Sequence, residues 1–232
     1  MIFIIRKKHL LYLLSLVVLL LAVWFMLNNY KQQEIPTVNP IYLGNTLEKA
    51  LALMINVDWG EDIIPAMLTV LEEKNVKATF FVTGRFAKKF PQLVQNIAAK
   101  GHEIGNHGYS HPHADKISLE MNQKEITDTQ KVFEMLSIPN VKLFAPPYGE
   151  HRTHVLQAAD LLGYQTIMWT VDTLDWKAPS PEVIYQKIVS MADNGILILM
   201  HPKQCTLNSL PSVLHALQKE NYSFKTVSEI IQ

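Results

Sequence analysis

Cysteine is almost absent from this chain of 232 residues, and the single one, Cys205, excludes an intrachain disulfide and any zinc module built from several cysteines. An excess of charge of one sign is also lacking, since Lys+Arg and Asp+Glu both number 21, which argues against nucleic-acid binding through a strong basic field. With 9 glycines and 12 prolines, the sequence is neither collagen-like nor of low complexity. Charged residues make up only 18% of the chain and apolar residues 48%, so the apolar excess has to be located first.

The apolar excess lies near the start of the chain, where residues 10–27 contain no charged side chain. As a helix rising about 1.5 Å per residue, this run would measure roughly 27 Å, close to the hydrocarbon thickness of a bilayer. Arg6, Lys7 and Lys8 precede it, so the positive-inside rule predicts that residues 1–9 stay cytoplasmic and that the rest of the chain crosses the membrane. We therefore expect a single-pass signal anchor in the cell membrane.

A cleaved signal peptide is the alternative interpretation of this run. Its apolar region would usually be about 7–15 residues long and followed by a small-x-small cleavage site, whereas here the run ends in Trp24, Phe25 and Met26. We favour the uncleaved anchor, followed by a linker over residues 28–47 and an extracytoplasmic domain over residues 48–232.

Short apolar runs alternate with amphipathic stretches through the domain, a pattern that indicates strand–helix units and hence a parallel α/β sheet. About seven such units in roughly 190 residues favour a small barrel over the eight-unit form, which typically needs about 250 residues. The predicted strands are 51–58, 78–83, 103–106, 142–145, 165–171, 196–200 and 224–227. The predicted helices are 62–74, 86–100, 118–137, 151–162, 181–193 and 209–220.

Chemically reactive side chains collect where the predicted strands end, which is where parallel α/β folds place their sites. His107 and His111 are four residues apart, a spacing that puts both imidazoles on one side of a helical turn, where they can share a metal ion. Asp58 could complete a His-His-Asp set, and His201, after a fully apolar strand, could act as a general acid. Taken singly, each has a structural alternative: a surface histidine pair, a helix N-cap, and a histidine held by a backbone carbonyl.

In this order, the segments resemble the NodB-homology polysaccharide deacetylases of carbohydrate esterase family 4. Residues 78–84, ATFFVTG, resemble the second strand of that family, and residues 101–113, beginning GHEIGNH, closely match its metal-binding segment. Five family motifs can be laid along residues 54–201, and the resemblance covers about residues 48–232. It implies a distorted (β/α) barrel of about seven parallel strands. It also implies metal-assisted removal of acetyl groups from peptidoglycan or chitin-like polymers.

The resemblance further implies roles for individual residues. His107, His111 and Asp58 would hold a divalent metal ion, for which zinc is expected, with cobalt, nickel and manganese as alternatives. His201 would be the general acid, and Asp175 would tune it. The positions that would contact the sugar polymer or its acetyl group are Tyr148, Pro147, Trp176 and Leu199. We expect a monomer with no nucleic-acid partner.

The first motif departs from the family pattern Thr-Phe-Asp-Asp-Gly, in which the first Asp is the general base and the second a metal ligand. Matching the glycines directly aligns Asp58 with the base and Trp59 with the metal ligand. Matching the longer sporulation-type variant, Phe-Asp-Ile-Ser-Trp-Gly, places Asn56 at the base position and leaves Asp58 as a metal ligand. Asn56 and Asp58 share strand parity, so both can face the site.

A second departure favours the longer register. The family usually carries an Arg that orients the base Asp, and here that position is Ala145. Removing one partner of a buried ion pair costs roughly 3–5 kcal/mol, whereas losing both is far cheaper. Ala145 is therefore the expected companion of Asn56. Gly108 also replaces the Ser or Thr of the family, which predicts a looser loop between the two histidines.

Three functions are compatible with these residues. The first is hydrolysis of N-acetyl groups, which would be slow because Asn56 cannot accept a proton and a general base is typically worth about 10²–10⁴-fold. The second is a catalytically inactive, membrane-tethered module that binds glycan. The third is a structural role in envelope or spore assembly.

Overall fold

The computed structural model describes residues 7–31 and 38–232. Arg6, and residues 32–37 of the predicted linker, lie outside the described residues. Residues 7–31 form one helix, α1 (Lys7–Lys31), whose apolar side chains from Leu13 to Met26 are exposed. A search of the described helices finds none that is long and apolar enough to cross a membrane. The transmembrane helix predicted over residues 10–27 is therefore not supported by the structure.

A parallel sheet forms the centre of the compact unit that comprises residues 38–232. Its strands are β1 (Ala50–Val57), β2 (Thr79–Val82), β3 (Glu103–Asn106), β4 (Leu143–Phe144), β5 (Gln165–Thr166), β6 (Val171–Asp172), β7 (Leu197–Met200) and β8 (Ser223–Lys225). Their order is β5-β4-β3-β2-β1-β7-β6, with β8 paired to β1. The predicted α/β class and parallel sheet are confirmed, and the sheet is a curled half-barrel with eight strands in the described part of the chain.

Helices follow most strands and cover the outside of the sheet. They are α2 (Ile64–Glu73), α3 (Gly84–Lys89), α4 (Pro91–Ala99), α5 (Leu119–Met135), α6 (Thr153–Asp160), α7 (Pro181–Ser190), α8 (Gln204–Lys219) and α9 (Val227–Ile230). Side-chain oxygens of Thr83, Ser118 and Thr226 cap α3, α5 and α9 by accepting from free amides of the first turn.

Side chains on the two faces of β1 pack into two different hydrophobic cores, one on each side of the sheet. Leu51, Leu53, Ile55 and Val57 pack into the outer core, between the sheet and the helices. The alternate residues Ala50, Ala52 and Met54 pack into a smaller inner core with Phe81, Leu143, Ala145, Ile167 and Leu197. Because strand side chains alternate between faces, Asn56 continues the inner row beyond Met54.

The segment just before β1 belongs to the domain rather than to the linker predicted over residues 28–47. The Ile41 amide donates to the Thr166 carbonyl at 2.9 Å, and the Gly44 amide donates to the Gly195 carbonyl at 2.7 Å. Residues 41–44 therefore lie between the chain near β5 and the chain before β7. Main-chain hydrogen bonds make this stretch part of the folded unit.

Two predicted elements are each divided in the structure. The strand predicted over residues 165–171 is two short strands, because β5 pairs with β4 while β6 pairs with β7 near the other end of the sheet. The helix predicted over residues 86–100 breaks at Phe90, whose backbone is non-helical (φ −126°, ψ 58°), because the following Pro91 disfavours helical geometry at the preceding residue. Helix α8 also begins earlier than the predicted residue 209, at Gln204.

Candidate active site

Carboxyl ends of several strands surround one pocket of about 420 Å³. The residues predicted from separate motifs that line it are Asn56, Asp58, His107, His111, Tyr148, Trp176, Leu199 and His201. Trp59, Gly149, Trp169 and Asp172 complete the wall. Two further predicted residues, Pro147 and Asp175, are buried and do not line the pocket themselves; they directly precede the lining residues Tyr148 and Trp176 in the chain.

His107 and His111 lie side by side, with ring centroids 4.9 Å apart. His107 Nδ1 lies 2.6 Å from the Ala145 carbonyl oxygen, and since a carbonyl can only accept, this nitrogen carries the proton and Nε2 keeps its lone pair. Burial lowers the pKa of His107 to about 3, and His111 adds to the shift. Burial also lowers the pKa of His111, where the Arg85 charge acts in the same direction and Asp58 opposes it. Neutral imidazoles are the form that binds metal ions.

The loop between the two histidines is held by Glu125 of α5. One carboxylate oxygen of Glu125 accepts from the amides of Tyr109 at 2.8 Å and Ser110 at 2.6 Å, and the other accepts from the Ser110 hydroxyl at 2.8 Å. The Gly108 amide donates to the Asn106 side chain at 2.9 Å. Gly108 has φ +73°, so a side chain there would be strained. The loop predicted to be loose because of Gly108 is thus tied by a carboxylate that the sequence analysis did not identify.

The carboxylate of Asp58 is engaged by the start of α3. Arg85 Nε donates to Asp58 Oδ1 at 2.6 Å, and Arg85 Nη2 pairs with Oδ2. The Thr83 hydroxyl also donates to Oδ1, at 2.9 Å. The Asp58 side chain is 10% exposed, whereas that of Arg85 is 51% exposed. Such a bidentate pair is stronger than a single surface contact.

Asn56 lies deeper in the pocket than Asp58 and is 5% exposed. Its Oδ1 is buried and has no hydrogen-bond partner among the described residues. Ala145 is fully buried in the inner core. A carboxylate at position 56 would therefore find no cation at position 145, and the paired replacement that the longer register implies stays a prediction.

His201 is oriented by a buried carboxylate. His201 Nδ1 lies 2.7 Å from Asp175 Oδ1, and the His201 amide donates to Asp175 Oδ2 at 2.6 Å. The Thr206 hydroxyl donates to the same oxygen at 2.6 Å. Asp175 is completely buried, so its charge depends on these three donors. His201 Nε2 has no hydrogen-bond partner among the described residues and belongs to a ring that lines the pocket; it can donate a proton there in the imidazolium form.

Aromatic rings form the rim of the pocket. Trp59, Tyr148 and Trp176 are 39%, 59% and 51% exposed. The Trp59 ring stacks on His201, with centroids 6.0 Å apart and planes 14° from parallel, and Lys203 Nζ lies 4.7 Å from its centre. Exposed ring faces around a concave pocket are suited to the apolar faces of sugar rings.

Two residues that line the pocket and one near it have left-handed backbone conformations, as do five other non-glycine residues in the described part of the chain. His111, Tyr148 and Leu174 have φ of 57°, 58° and 56°, in the left-handed region that costs a residue with a side chain roughly 1–2 kcal/mol. Tyr148 and His111 are held in edge contact, with centroids 4.6 Å apart. Strain of this kind is typical of functional sites.

The arrangement does not fit a three-ligand metal site. Within residues 7–31 and 38–232, no group of three His, Cys, Asp or Glu side chains is placed to hold a metal ion. Two of the predicted ligands, His107 and His111, are adjacent, whereas the third, Asp58, is paired with Arg85 and also accepts from the Thr83 hydroxyl. The His107–His111–Asp58 metal site expected from the sequence is therefore not assembled.

Sequence reasoning placed most pocket residues but missed Arg85 and Glu125. Arg85 follows the β2 exit by three residues, and strand exits were the signal that identified Asp58 and His201. Glu125 lies in mid-helix, where its contact to a distant loop gives no local signal.

Comparison with known proteins places this chain among deacetylases. A family model described as Polysaccharide deacetylase matches residues 44–167. The "Uncharacterized protein YlxY" of Bacillus subtilis is 38% identical over 83% of this chain, which spans 60% of that relative's length. The "Peptidoglycan-N-acetylmuramic acid deacetylase PdaA" of the same organism is 31% identical, with 82% of this chain and 74% of the relative covered.

Among solved structures, the wild-type Bacillus anthracis protein BA3943, described as a CE4 family pseudoenzyme, matches with a TM-score of 0.81 and 35% identity over 84% of this chain and 70% of that one. A mutant of it, described as having restored enzymatic activity, matches with the same TM-score and 34% identity. These matches agree with the parallel α/β fold described above. The chain belongs to the polysaccharide deacetylase family, the NodB-type domains of carbohydrate esterase family 4.

Proposed function

We propose that this domain binds an N-acetylated, peptidoglycan-type glycan in the His107–His201 pocket and hydrolyses it very slowly. The main support for the proposal is Asn56, a buried amide at the position that the longer register aligns with the general base of the family. An amide oxygen cannot take a proton from water at neutral pH. Since general base catalysis is typically worth about 10²–10⁴-fold, hydrolysis should be slower by a factor of that order.

Binding is supported by features of the pocket that remain complete. Its rim presents the exposed rings of Tyr148 and Trp176, and Asn56 Oδ1, which has no hydrogen-bond partner within residues 7–31 and 38–232, is buried in its wall. That oxygen can accept from the N–H of an acetamido group, a contact that would relieve an otherwise costly buried acceptor. The substrate class is supported by PdaA, which is named as a peptidoglycan deacetylase.

Faster hydrolysis is the second candidate, and one observation favours it. The His201–Asp175 pair is intact and oriented, so His201 can protonate the amine that leaves when water cleaves the acetamide to acetate. Neither candidate includes the zinc ion expected from the sequence, because the carboxylate of Asp58 is paired with Arg85 and hydrogen-bonded to Thr83.

The location is a proposal as well. The uncharged run over residues 10–27, preceded by Arg6, Lys7 and Lys8, supports attachment to a membrane with the domain on the extracytoplasmic side. The test is fractionation of cells that produce the full-length chain, with protease added to intact protoplasts. Recovery of the chain in the soluble cytoplasmic fraction would refute this location.

The functional test measures binding and turnover on the same preparation. The full-length chain, purified in mild detergent, is titrated with N-acetylated chitooligosaccharides and with soluble peptidoglycan fragments, and acetate release is followed in parallel. We expect saturable binding that Trp176→Ala weakens and that Leu161→Ala, at an exposed apolar position outside the pocket, leaves unchanged. Turnover at the rate of an active family member, abolished by His201→Ala, would establish the second candidate. Neither binding nor release would refute both.

A further inference from the structure

The contact between Arg85 and Asp58 has a consequence for metal binding. We propose that the Arg85 guanidinium takes the place of a divalent cation in this pocket and keeps Asp58 out of any coordination set. The wild-type chain then binds divalent metal weakly, and removal of the guanidinium frees the carboxylate to join the two neighbouring histidines. The inference refines the proposed function, but it is tested without glycan, so that each can fail independently.

The Asp58 carboxylate accepts three hydrogen bonds, two of them from one guanidinium. Asp58 Oδ1 accepts from Arg85 Nε at 2.6 Å and from the Thr83 hydroxyl at 2.9 Å, and Oδ2 pairs with Arg85 Nη2. A metal ion bound to an Asp58 oxygen would lie next to the guanidinium of Arg85, and the two positive charges would repel. The guanidinium therefore lowers the affinity of this carboxylate for a divalent cation.

Arg85 is fixed beside the histidine loop by its own backbone. The Arg85 amide donates to the Tyr109 carbonyl at 3.0 Å, and the Gly84 amide donates to the Gly108 carbonyl at 2.9 Å. A Cβ on Gly84 would lie 2.4 Å from the Tyr109 ring, so only glycine allows this approach. The start of α3 is therefore hydrogen-bonded directly to the loop that carries His111, which places the guanidinium near the site.

A purely structural role is the alternative. The ion pair also joins the exits of β1 and β2, and Arg85 could serve only to hold those strands together. Metal affinity distinguishes the two roles, since a structural contact would not change the affinity for a metal ion.

The experiment titrates the metal-depleted full-length chain with zinc chloride by isothermal titration calorimetry. We expect Arg85→Met to bind one zinc at least about tenfold more tightly than wild type, equivalent to about 1.4 kcal/mol. Arg85→Gln should show the same gain, and it provides the measurement if the methionine variant does not fold. Arg152→Met is the matched control, because Arg152 is exposed and pairs with Asp115 away from the pocket; its affinity should equal that of wild type.

Two further variants assign the gain to the site. Combining Arg85→Met with Asp58→Asn should abolish it, and His107→Ala with His111→Ala gives the background from other histidines. Equal zinc affinity in wild type and both Arg85 variants would overturn the inference. So would a gain that persists when Asp58 is replaced. Glycan binding by wild type in the presence of a chelator reports separately on the proposed function.

Discussion

Restoring a charge pair at positions 56 and 145 is the most informative perturbation of this pocket. Asn56→Asp alone places a carboxylate where the side chain is 5% exposed and where one oxygen already has no partner among the described residues. An uncompensated buried charge costs roughly 3–5 kcal/mol of unfolding free energy. Ala145→Arg alone should cost at least as much, because position 145 is fully buried among Met54, Phe81 and Leu143 and overpacking adds about 1–3 kcal/mol.

If the two positions form a pair, the double variant should be more stable than the sum of the single effects by about 3 kcal/mol, the upper range for residues in contact. Burial raises the pKa of the introduced carboxyl, so the folded Asn56→Asp chain binds a proton that the unfolded chain releases. The single variant should therefore be less stable at about pH 8 than at about pH 5, and the double variant should lose this dependence.

Urea unfolding of wild type, both single variants and the double variant provides the thermodynamic cycle. Acetate release from chitooligosaccharides provides the functional readout, in which the double variant should exceed either single one. The control pairs Asn56→Asp with Gln165→Arg, at an exposed position on β5, and should be additive. Additivity within about 0.5 kcal/mol for positions 56 and 145 as well would refute the paired replacement.

Three further predictions concern single residues. Asp175→Asn should lower the free energy of unfolding by about 2–3 kcal/mol. The reason is that the buried carboxylate has three donors, two of them on His201, and would lose its charge-assisted hydrogen bonds. A loss below about 0.5 kcal/mol in urea unfolding would contradict this. Trp176→Ala should weaken glycan binding about tenfold in calorimetry. Thermal stability should be nearly unchanged, because the ring is half exposed. Unchanged affinity would show that Trp176 does not contact the glycan. Burial lowers the pKa of His102 to about 4, so the unfolded chain binds more protons below about pH 6.5 and stability should fall as pH drops from there toward 4. His102→Gln should flatten that dependence, and an unchanged slope in acid unfolding would count against it.

The sequence predicted which residues meet at the pocket, but not which side chains form ion pairs or hydrogen bonds with them. Asp58, His107 and His201 follow strands, and parallel strands end at one edge, so their meeting follows from chain order. The same argument cannot show that Arg85 reaches Asp58, because the direction of a long side chain depends on how α3 leaves β2. Whether Asp58 is a free ligand or one partner of an ion pair is therefore a tertiary property.

Element boundaries show the same limit. The sequence pattern of residues 165–171 is compatible with one strand or with two short ones. The structure has two, because β5 pairs with β4 whereas β6 pairs with β7, at a different place in the sheet. The Phe90–Pro91 break could have been predicted, because proline disfavours helix at the preceding residue. The participation of residues 41–44 could not, since an extended segment next to a strand and an extended linker have the same sequence pattern.

Those residues 41–44 also determine how the domain can be shortened. Tyr42 bridges from the start of the folded unit to the pocket: its hydroxyl lies 2.9 Å from His151 Nε2, and His151 Nδ1 lies 2.6 Å from the carbonyl of Gly149 in the pocket wall. A protein trimmed to start at residue 48 would lose this brace together with the main-chain bonds to Thr166 and Gly195. Recombinant versions intended for ligand studies should therefore begin no later than Val38, so that the wall carrying Tyr148 keeps its support.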